Sequence, residues 1–129
     1  MRALRWPKFW LALWLGAIAA VIVLSLVPPP PMPAQTPHHF DKLLHFGAYF
    51  ALMFAAVQLF ARLRVLLPVA LALAALGVLM ELAQAMLVPH LRMLDVWDAL
   101  ANAAGVLAAL LLANTPLATW LQRLERRIA

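Results

Sequence analysis

The chain contains no cysteine, a single serine and few charged residues. Without cysteine it can form no disulfide, no thiolate nucleophile and no Cys-ligated zinc site. A Ser-His-Asp arrangement has one candidate nucleophile, Ser25, which lies near the end of an apolar run. Charged residues make up 12% of the 129 residues and hydrophobic residues 67%, whereas soluble domains carry about 25% charged residues. A water-soluble globule of ordinary composition is therefore excluded, and lipid is the expected solvent.

Four apolar runs are long enough to cross a bilayer as helices, at about 1.5 Å per residue. They cover about residues 9–27, 42–60, 65–88 and 95–113. The first run is longer than a signal-peptide core and ends in a proline-rich connector, so it predicts an uncleaved anchor. Residues 116–128 place apolar and arginine side chains on opposite helical faces, which predicts an interfacial helix. We expect an all-α polytopic membrane protein, in which one domain (1–129) forms a four-helix antiparallel bundle plus this C-terminal helix.

Lys and Arg are distributed unequally between the two predicted sides of the membrane. The side with the amino end, the hairpin near residue 62 and the tail holds Arg2, Arg5, Lys8, Arg62, Arg64, Arg123, Arg126 and Arg127. The other side holds only Lys42 and Arg92. Positive residues favour the cytoplasm, so this pattern predicts a multi-pass cell-membrane protein with both termini cytoplasmic. Because the basic residues form short groups between apolar runs, we expect no nucleic-acid partner.

Polar side chains are concentrated at the predicted outward rim of the bundle. A polar group that faces hydrocarbon without a partner is costly, so this concentration indicates packing, binding or chemistry. The helical spacing places the members on faces that can converge. The predicted ligand-binding residues are Asp41, Lys42, His45, Glu81, Gln84, Arg92, Asp95, Asp98 and Asn102. From their depth along the helices, we expect Glu81 beside Asn102 and Gln84 near His45.

Structural roles compete with functional ones at most of these positions. Asp41 and Asp95 begin predicted helices and can cap them. Gln84 and Asn102 are typical hydrogen-bonding residues between transmembrane helices. Glu81 is harder to explain by packing, because a carboxylate at this depth must be paired or protonated.

Catalytic and metal-binding roles follow less directly from the sequence. His45, Glu81 and Asp98 are the candidate catalytic residues, since histidine titrates near neutral pH and carboxylates suit general acid–base chemistry. The side chains that could share a metal ion are His38, His39, Asp41 and His45, with Glu81 or Asp98. Their spacing matches no standard metal motif, so we predict neither a metal nor a cofactor.

Three motifs between residues 41 and 105 resemble the VanZ-like family of small membrane proteins. They are DKLLHFxxY from Asp41 to Tyr49, ExxQ from Glu81 to Gln84, and the series Pro89, Arg92, Asp95, Asp98, Asn102 and Gly105. The resemblance implies a four-helix integral membrane protein, and the founding member is associated with lowered susceptibility to teicoplanin-type glycopeptide antibiotics. It implies no settled reaction. The chain departs from the family pattern at Ala109, where a second glycine is common.

Lys42 and Arg92 are exceptions to the charge bias, because they lie on the outward side. Their place beside Asp95 and Asp98 indicates either ion pairs with these acids or a site for an anionic group.

Three functional hypotheses follow. In the first, an outward-facing cavity binds or modifies an anionic amphiphilic component of the cell envelope, such as a lipid or an envelope precursor, with Lys42 and Arg92 as anion contacts. In the second, the protein is a lipid-linked hydrolase or transferase in which His45 or Glu81 is the general base. In the third, the polar residues only join helices in a structural or assembly subunit.

Overall fold

The computed structural model describes residues 1–27, 39–87 and 95–128, which form five α-helices and two short 3-10 helices. The α-helices are α1 (Pro7–Leu26), α2 (Phe40–Leu59), α3 (Leu63–Leu87), α4 (Val96–Leu111) and α5 (Trp120–Arg127). The 3-10 helices, Leu112–Asn114 and Pro116–Thr119, lie between α4 and α5. Because the described residues contain no strand, the all-helical prediction is confirmed. Four helical segments are long and apolar enough to cross a membrane, with mean hydropathies between 1.4 and 2.4.

The helix ends differ from the predicted bounds by a few residues. α1 begins at Pro7 rather than near residue 9, because proline suits the first helical position, where its missing N–H leaves no bond unmade. The predicted helix over 116–128 was wrong at its start, since Pro116–Thr119 is a 3-10 helix and α5 follows it. The predicted proline-rich connector and the 88–94 loop, which contains Arg92, lie outside the described residues.

Both terminal segments lie at one end of the protein, beside the end of α2. The Arg2 N–H donates to the Leu59 carbonyl at 2.7 Å, and Arg2 Nε donates to the Val57 carbonyl at 3.0 Å. The side-chain amide of Gln58 holds the tail by donating to the Leu117 carbonyl and accepting from the Leu121 N–H. At the opposite end, Lys42 in the first turn of α2 contacts Asp95 at the start of α4.

α2 provides the largest share of the buried core, and α3 and α4 cover it. The buried apolar residues are Tyr49, Leu52, Met53, Ala56 and Val57 from α2, Leu66, Ala70 and Leu73 from α3, Val106 and Ala109 from α4, and Ala118 from the tail. In contrast, α1 has no buried residue. α1 is therefore a peripheral helix, which packs Trp14, Ile18 and Val21 against the core only in part.

Two glycines allow α4 to approach its neighbours closely. A Cβ atom at Gly105 would meet the backbone of α2, including the Phe46 carbonyl oxygen and, at 2.9 Å, the Phe50 nitrogen. At Gly77 of α3, an added Cβ would lie 2.9 Å from the Cβ of Asn102. Small residues at helix contacts are typical of membrane bundles, where close backbone approach replaces the hydrophobic effect as the source of attraction.

Candidate functional site

An ion pair network joins the first turns of α2 and α4. The Lys42 ammonium lies 2.7 Å from Asp95 Oδ2 and 2.9 Å from Asp98 Oδ1. The Asp98 side chain is 8% exposed, whereas that of Lys42 is 33% exposed. The ammonium therefore neutralises a buried carboxylate and is shared by two acids. The ion pairs expected of Lys42 with Asp95 and Asp98 are confirmed, so its ammonium is not a free anion contact.

Asp95 also caps α4. Its side chain accepts a hydrogen bond from the Trp97 N–H at 2.8 Å, so the predicted cap is confirmed here. The hydrogen bonds from Lys42 and from the Trp97 backbone lower the pKa of Asp95 below its ordinary value of 3.8. The cap predicted at Asp41 was wrong, because α2 begins one residue earlier and places Asp41 in its first turn with His39 as the N-cap residue.

His45 lies between two carboxylates on different helices. Its Nδ1 atom is 3.4 Å from Oε1 of Glu81 on α3, and its Nε2 atom is 3.7 Å from Oδ1 of Asp41, one turn earlier on α2. Both distances are longer than a standard hydrogen bond of about 2.7–3.2 Å. The Glu81 side chain is 4% exposed, so His45 connects a buried acid with one at the rim.

A cavity of about 320 Å³ opens next to this histidine, between α1, α2 and α3. Its lining is part apolar, with Val21, Leu24, Leu44 and Ala48, and part polar, with Ser25, Asp41, His45, Tyr49 and Gln84. Gln84 crosses from α3 to α1 by donating to the Ser25 carbonyl at 2.7 Å. Gln84 and His45 thus line one cavity. Such a volume with a few convergent polar groups is typical of small-molecule sites, which occupy about 300–1,000 Å³.

Two polar atoms below the rim have no hydrogen-bond partner in the described part of the chain. They are the Tyr49 hydroxyl, which belongs to the cavity lining, and Oδ1 of Asn102. Asn102 is 1% exposed and packs against Gly77, one helical turn from Glu81 on α3. Buried polar atoms are normally hydrogen-bonded, so the Tyr49 hydroxyl offers a bond to whatever enters the cavity.

One group among the described residues has the composition of a cation site. Asp41, His45 and Asp98 can each offer a ligand atom, and these atoms lie within 4.8 Å of one another. A mixed set of imidazole and carboxylates suits Zn²⁺ or Mn²⁺. However, Asp98 already accepts from the Lys42 ammonium, so a metal ion would have to compete with a resident positive charge.

The opposite end of the protein holds buried polar residues that the sequence gave no reason to expect together. Glu125 of α5 is 4% exposed and accepts hydrogen bonds from the Arg5 and Trp6 N–H groups and from Trp10 Nε1. Burial alone would raise the pKa of Glu125, but these three donors outweigh burial and lower it. Gln58 is also buried there. The expectation that buried polar groups lie almost only at the outward rim was therefore wrong.

The structure places eight of the nine predicted ligand-binding residues at one end of the bundle, on the first half of α2, the second half of α3 and the start of α4. The ninth, Arg92, lies outside the described residues, as does the candidate metal ligand His38. The sequence did not indicate that α1 contributes to the site, where the Ser25 carbonyl accepts a hydrogen bond from Gln84. Tyr49, which lines the cavity, was expected to have only a structural role. Every residue has a backbone carbonyl, so the sequence cannot mark one as a hydrogen-bond acceptor in the site. Tyr49 could have been predicted, because Asp41, His45 and Tyr49 are spaced at i, i+4 and i+8 and so share one face of α2.

No protein-family model matches the chain, and no curated protein or solved structure matches it either.

Proposed function

We propose that this chain is a multi-pass membrane protein of the cell envelope whose four spans form an antiparallel bundle, and that its cavity binds the polar head of an amphiphilic envelope component. The observation that supports this most is the mixed lining of the cavity, which combines the polar side chains of His45 and Gln84 with apolar residues such as Leu24. An amphiphile has the same two-sided chemistry. The resemblance to the VanZ-like family adds the expectation of a role in envelope or glycopeptide response.

The orientation of the cavity follows from charge. The end that holds both termini contains Arg2, Arg5 and the basic residues of α5. At the cavity end, Lys42 is paired with Asp95 and Asp98. By the positive-inside rule the termini are cytoplasmic, so the cavity opens on the extracytoplasmic side.

The charge of the preferred head group depends on residues around the rim. Lys42 is held by Asp95 and Asp98, so its ammonium offers little free charge to a ligand. Within this proposal, Arg92, which lies outside the described residues, is the remaining candidate anion contact, while His45, Gln84 and Tyr49 supply hydrogen bonds to the head group.

The binding test uses purified protein in detergent with phosphatidylglycerol, a polyprenyl phosphate and neutral phosphatidylcholine as probes. We expect one anionic probe to raise the melting temperature, and the variants His45→Ala and Gln84→Ala to weaken its binding about tenfold, or about 1.4 kcal/mol. Gln122→Ala, at the far end, is the matched control. Equal binding of all three probes to the native protein and to both cavity variants would contradict the proposal.

A second candidate function is catalysis by His45. Its Nδ1 atom lies 3.4 Å from the buried Glu81 carboxylate, and the ring also belongs to the cavity wall. A histidine held by a carboxylate is a standard general base. A phosphate-ester or transfer assay on lipid-linked substrates separates the functions, because Glu81→Gln should abolish turnover and leave binding in place. A purely structural role predicts that Glu81→Gln changes neither binding nor turnover.

A further inference from the structure

The cavity end of the protein carries more acids than fixed positive charges. Four of the five acids in the chain belong to it, namely Asp41 on α2, Glu81 on α3, and Asp95 and Asp98 at the start of α4. Lys42 is the one lysine or arginine at this end among the described residues, and the sequence adds only Arg92. Carboxylates that outnumber their cations at a partly buried site favour the binding of further positive charge.

His45 is central to this group, because each of its ring nitrogens faces a carboxylate. The Nε2 atom lies 3.7 Å from Oδ1 of Asp41, one turn earlier on α2. This distance is too long for a hydrogen bond. It is close to the separation of about 3.4 Å between two ligand atoms of one tetrahedral zinc ion, whose bonds are about 2.0–2.2 Å long. Asp41 and His45 therefore have the spacing of two ligands to one ion.

Glu81 contacts the other side of the imidazole ring. Its Oε1 atom lies 3.4 Å from Nδ1 of His45, and its side chain is 4% exposed. Histidines that bind metals usually direct their second ring nitrogen at a carboxylate or a carbonyl, which fixes the ring and increases its basicity. With Glu81 on the Nδ1 side, Nε2 is the nitrogen that faces Asp41 and can bind an ion.

Asp98 provides a third ligand atom from α4. One such atom from each of Asp41, His45 and Asp98 lies within 4.8 Å of the other two. α4 reaches α2 here because Gly105, two turns after Asp98, leaves room for the α2 backbone at Phe46, the residue after His45. The sequence did not predict a metal, because these ligands come from two helices and no motif spacing joins them.

The Lys42 ammonium is compatible with a metal ion at this site. It lies 2.9 Å from Oδ1 of Asp98 and 2.7 Å from Oδ2 of Asp95. A carboxylate has two oxygens with about four lone-pair sites, so Asp98 can accept from an ammonium and bind a metal ion together. If the ion displaces the ammonium from Asp98, the ammonium keeps its contact with Asp95.

The polar cavity adjoins the ligands, since Asp41, His45 and Tyr49 all belong to its wall. Tyr49 is 3% exposed, and its hydroxyl has no hydrogen-bond partner within the part of the chain that the structure describes. Buried polar atoms are normally hydrogen-bonded, so this hydroxyl indicates a bound group in the cavity. A zinc ion with three protein ligands keeps a fourth position for water or a ligand oxygen, and an oxygen in the cavity would give Tyr49 a partner.

We propose that Asp41, His45 and Asp98 bind one Zn²⁺ ion beside the polar cavity. An imidazole with two carboxylates suits Zn²⁺ or Mn²⁺, and a given site of this kind binds Zn²⁺ more tightly than Mn²⁺. The inference goes beyond the proposed function and does not depend on it, because metal binding is measured without lipid.

The test titrates Zn²⁺ against a fluorescent zinc indicator in the presence of the full-length protein, in detergent. The protein is purified without a polyhistidine tag and freed of metal with a chelator. We expect one Zn²⁺ per chain and at least about tenfold weaker binding of Mn²⁺. His45→Ala and Asp41→Asn should each weaken zinc binding at least about tenfold. Asp41 is 44% exposed, so its substitution keeps the test valid where His45→Ala folds poorly.

Two control variants separate ligation from general attraction to a negatively charged surface. Asp95→Asn removes an acid from the same end that is not in the ligand set, and His39→Ala removes an exposed histidine nearby. Both should bind one Zn²⁺ within about threefold of the native affinity, well short of a tenfold change. Absence of zinc binding, equal binding by the native protein and both ligand variants, or a loss in Asp95→Asn or His39→Ala as large as in Asp41→Asn would overturn the site.

Discussion

The Lys42 ammonium lies 2.7 Å from Oδ2 of Asp95 and joins the first turn of α2 to the start of α4. Because Asp98 accepts from the same ammonium, one lysine fixes two acids that are three residues apart. This contact sets the relative position of the two helices at the rim of the cavity. Because Asp95 must be ionised to form this ion pair, the pair also makes the stability of the fold depend on pH.

The first prediction concerns stability at low pH. The pKa of Asp95 is lower in the folded chain than its ordinary value of 3.8. A carboxyl with a depressed folded pKa stabilises the native state above the unfolded pKa, and that contribution is lost as the pH falls through the folded pKa. The Asp95→Asn variant, which keeps a capping side chain, should melt at a lower temperature than the native protein by a constant margin from about pH 7 to about pH 5.

Below about pH 4 this margin should shrink, because protonation removes the same charge from the native protein that the substitution removes permanently. Thermal unfolding in detergent across this range measures it. Glu125, at the opposite end of the protein, keeps its partners in both proteins and cancels in the difference. A margin that stays constant down to the lowest accessible pH would show that the Lys42–Asp95 pair does not contribute.

The second prediction orders three glycine substitutions. Gly105→Ala should be the most destabilising, because its Cβ would meet the backbone of α2 at Phe46, which cannot move without separating the helices. Gly77→Ala should cost less, about 1–3 kcal/mol, since the atoms it meets belong to the Asn102 side chain. Gly47→Ala has nothing within 4 Å and should stabilise α2 by about 0.5–1 kcal/mol.

Unfolding free energies from denaturant titration in mixed micelles measure the three variants side by side. Gly47→Ala is the control for helix propensity, so the differences report packing. Were Gly105→Ala as stable as Gly47→Ala, the close approach of α2 and α4 would be disproved.

The third prediction concerns the attachment of the amino-terminal segment. Glu125→Ala removes the acceptor for the Arg5 and Trp6 N–H groups and for Trp10 Nε1. Hydrogen exchange of the Arg5 and Trp6 amides should accelerate about tenfold or more, while amides in the α2–α4 core keep their protection. Glu125→Gln retains one acceptor oxygen and should lie between the two. Unchanged exchange at both amides in Glu125→Ala would contradict the contact.

The fourth prediction uses the absence of cysteine from the chain. Single substitutions at His39, beside the cavity, and at Asn114, at the opposite end, place thiols at exposed positions. A membrane-impermeant maleimide should label His39→Cys in intact cells and Asn114→Cys only after lysis, because the proposed orientation places the basic end in the cytoplasm. The reverse pattern would place the cavity on the cytoplasmic side.

Much of the architecture could be predicted from local sequence, and much of the site could not. The apolar runs fixed the number of helices, and Asp95 signalled the start of α4 because a capping side chain bonds to its own first turn. The ion pairs of Lys42 could be expected, because Asp95 and Asp98 lie at the same rim. The support of Gln84 from the Ser25 carbonyl and the contacts of Glu125 could not, since both join residues far apart in the chain. Such contacts follow from how helices are arranged, which helical periodicity does not specify.

The same distinction explains the misplaced expectations. Asp41 was predicted as a cap because it is polar and precedes an apolar run, but α2 extends one residue further because Phe40 adds to it. Glu125 was assigned to no site, and its burial follows from N–H donors in the first ten residues. The exact end of a helix depends on its neighbouring residues, which sequence patterns locate only to within one or two positions. Whether a charged residue is buried depends on partners that are distant in the chain.

The most direct test of ligand binding in the cavity places a photo-crosslinking residue at Leu44, on the cavity wall, in cells, with a matched probe at Leu71, an exposed position on α3. Mass spectrometry of the adducts identifies the captured lipids. We predict that the Leu44 probe captures one envelope amphiphile far above its share of the membrane, and that His45→Ala removes this enrichment. Capture of the same bulk lipids in the same proportions at Leu44 and Leu71 would contradict the proposal that the cavity is a binding site.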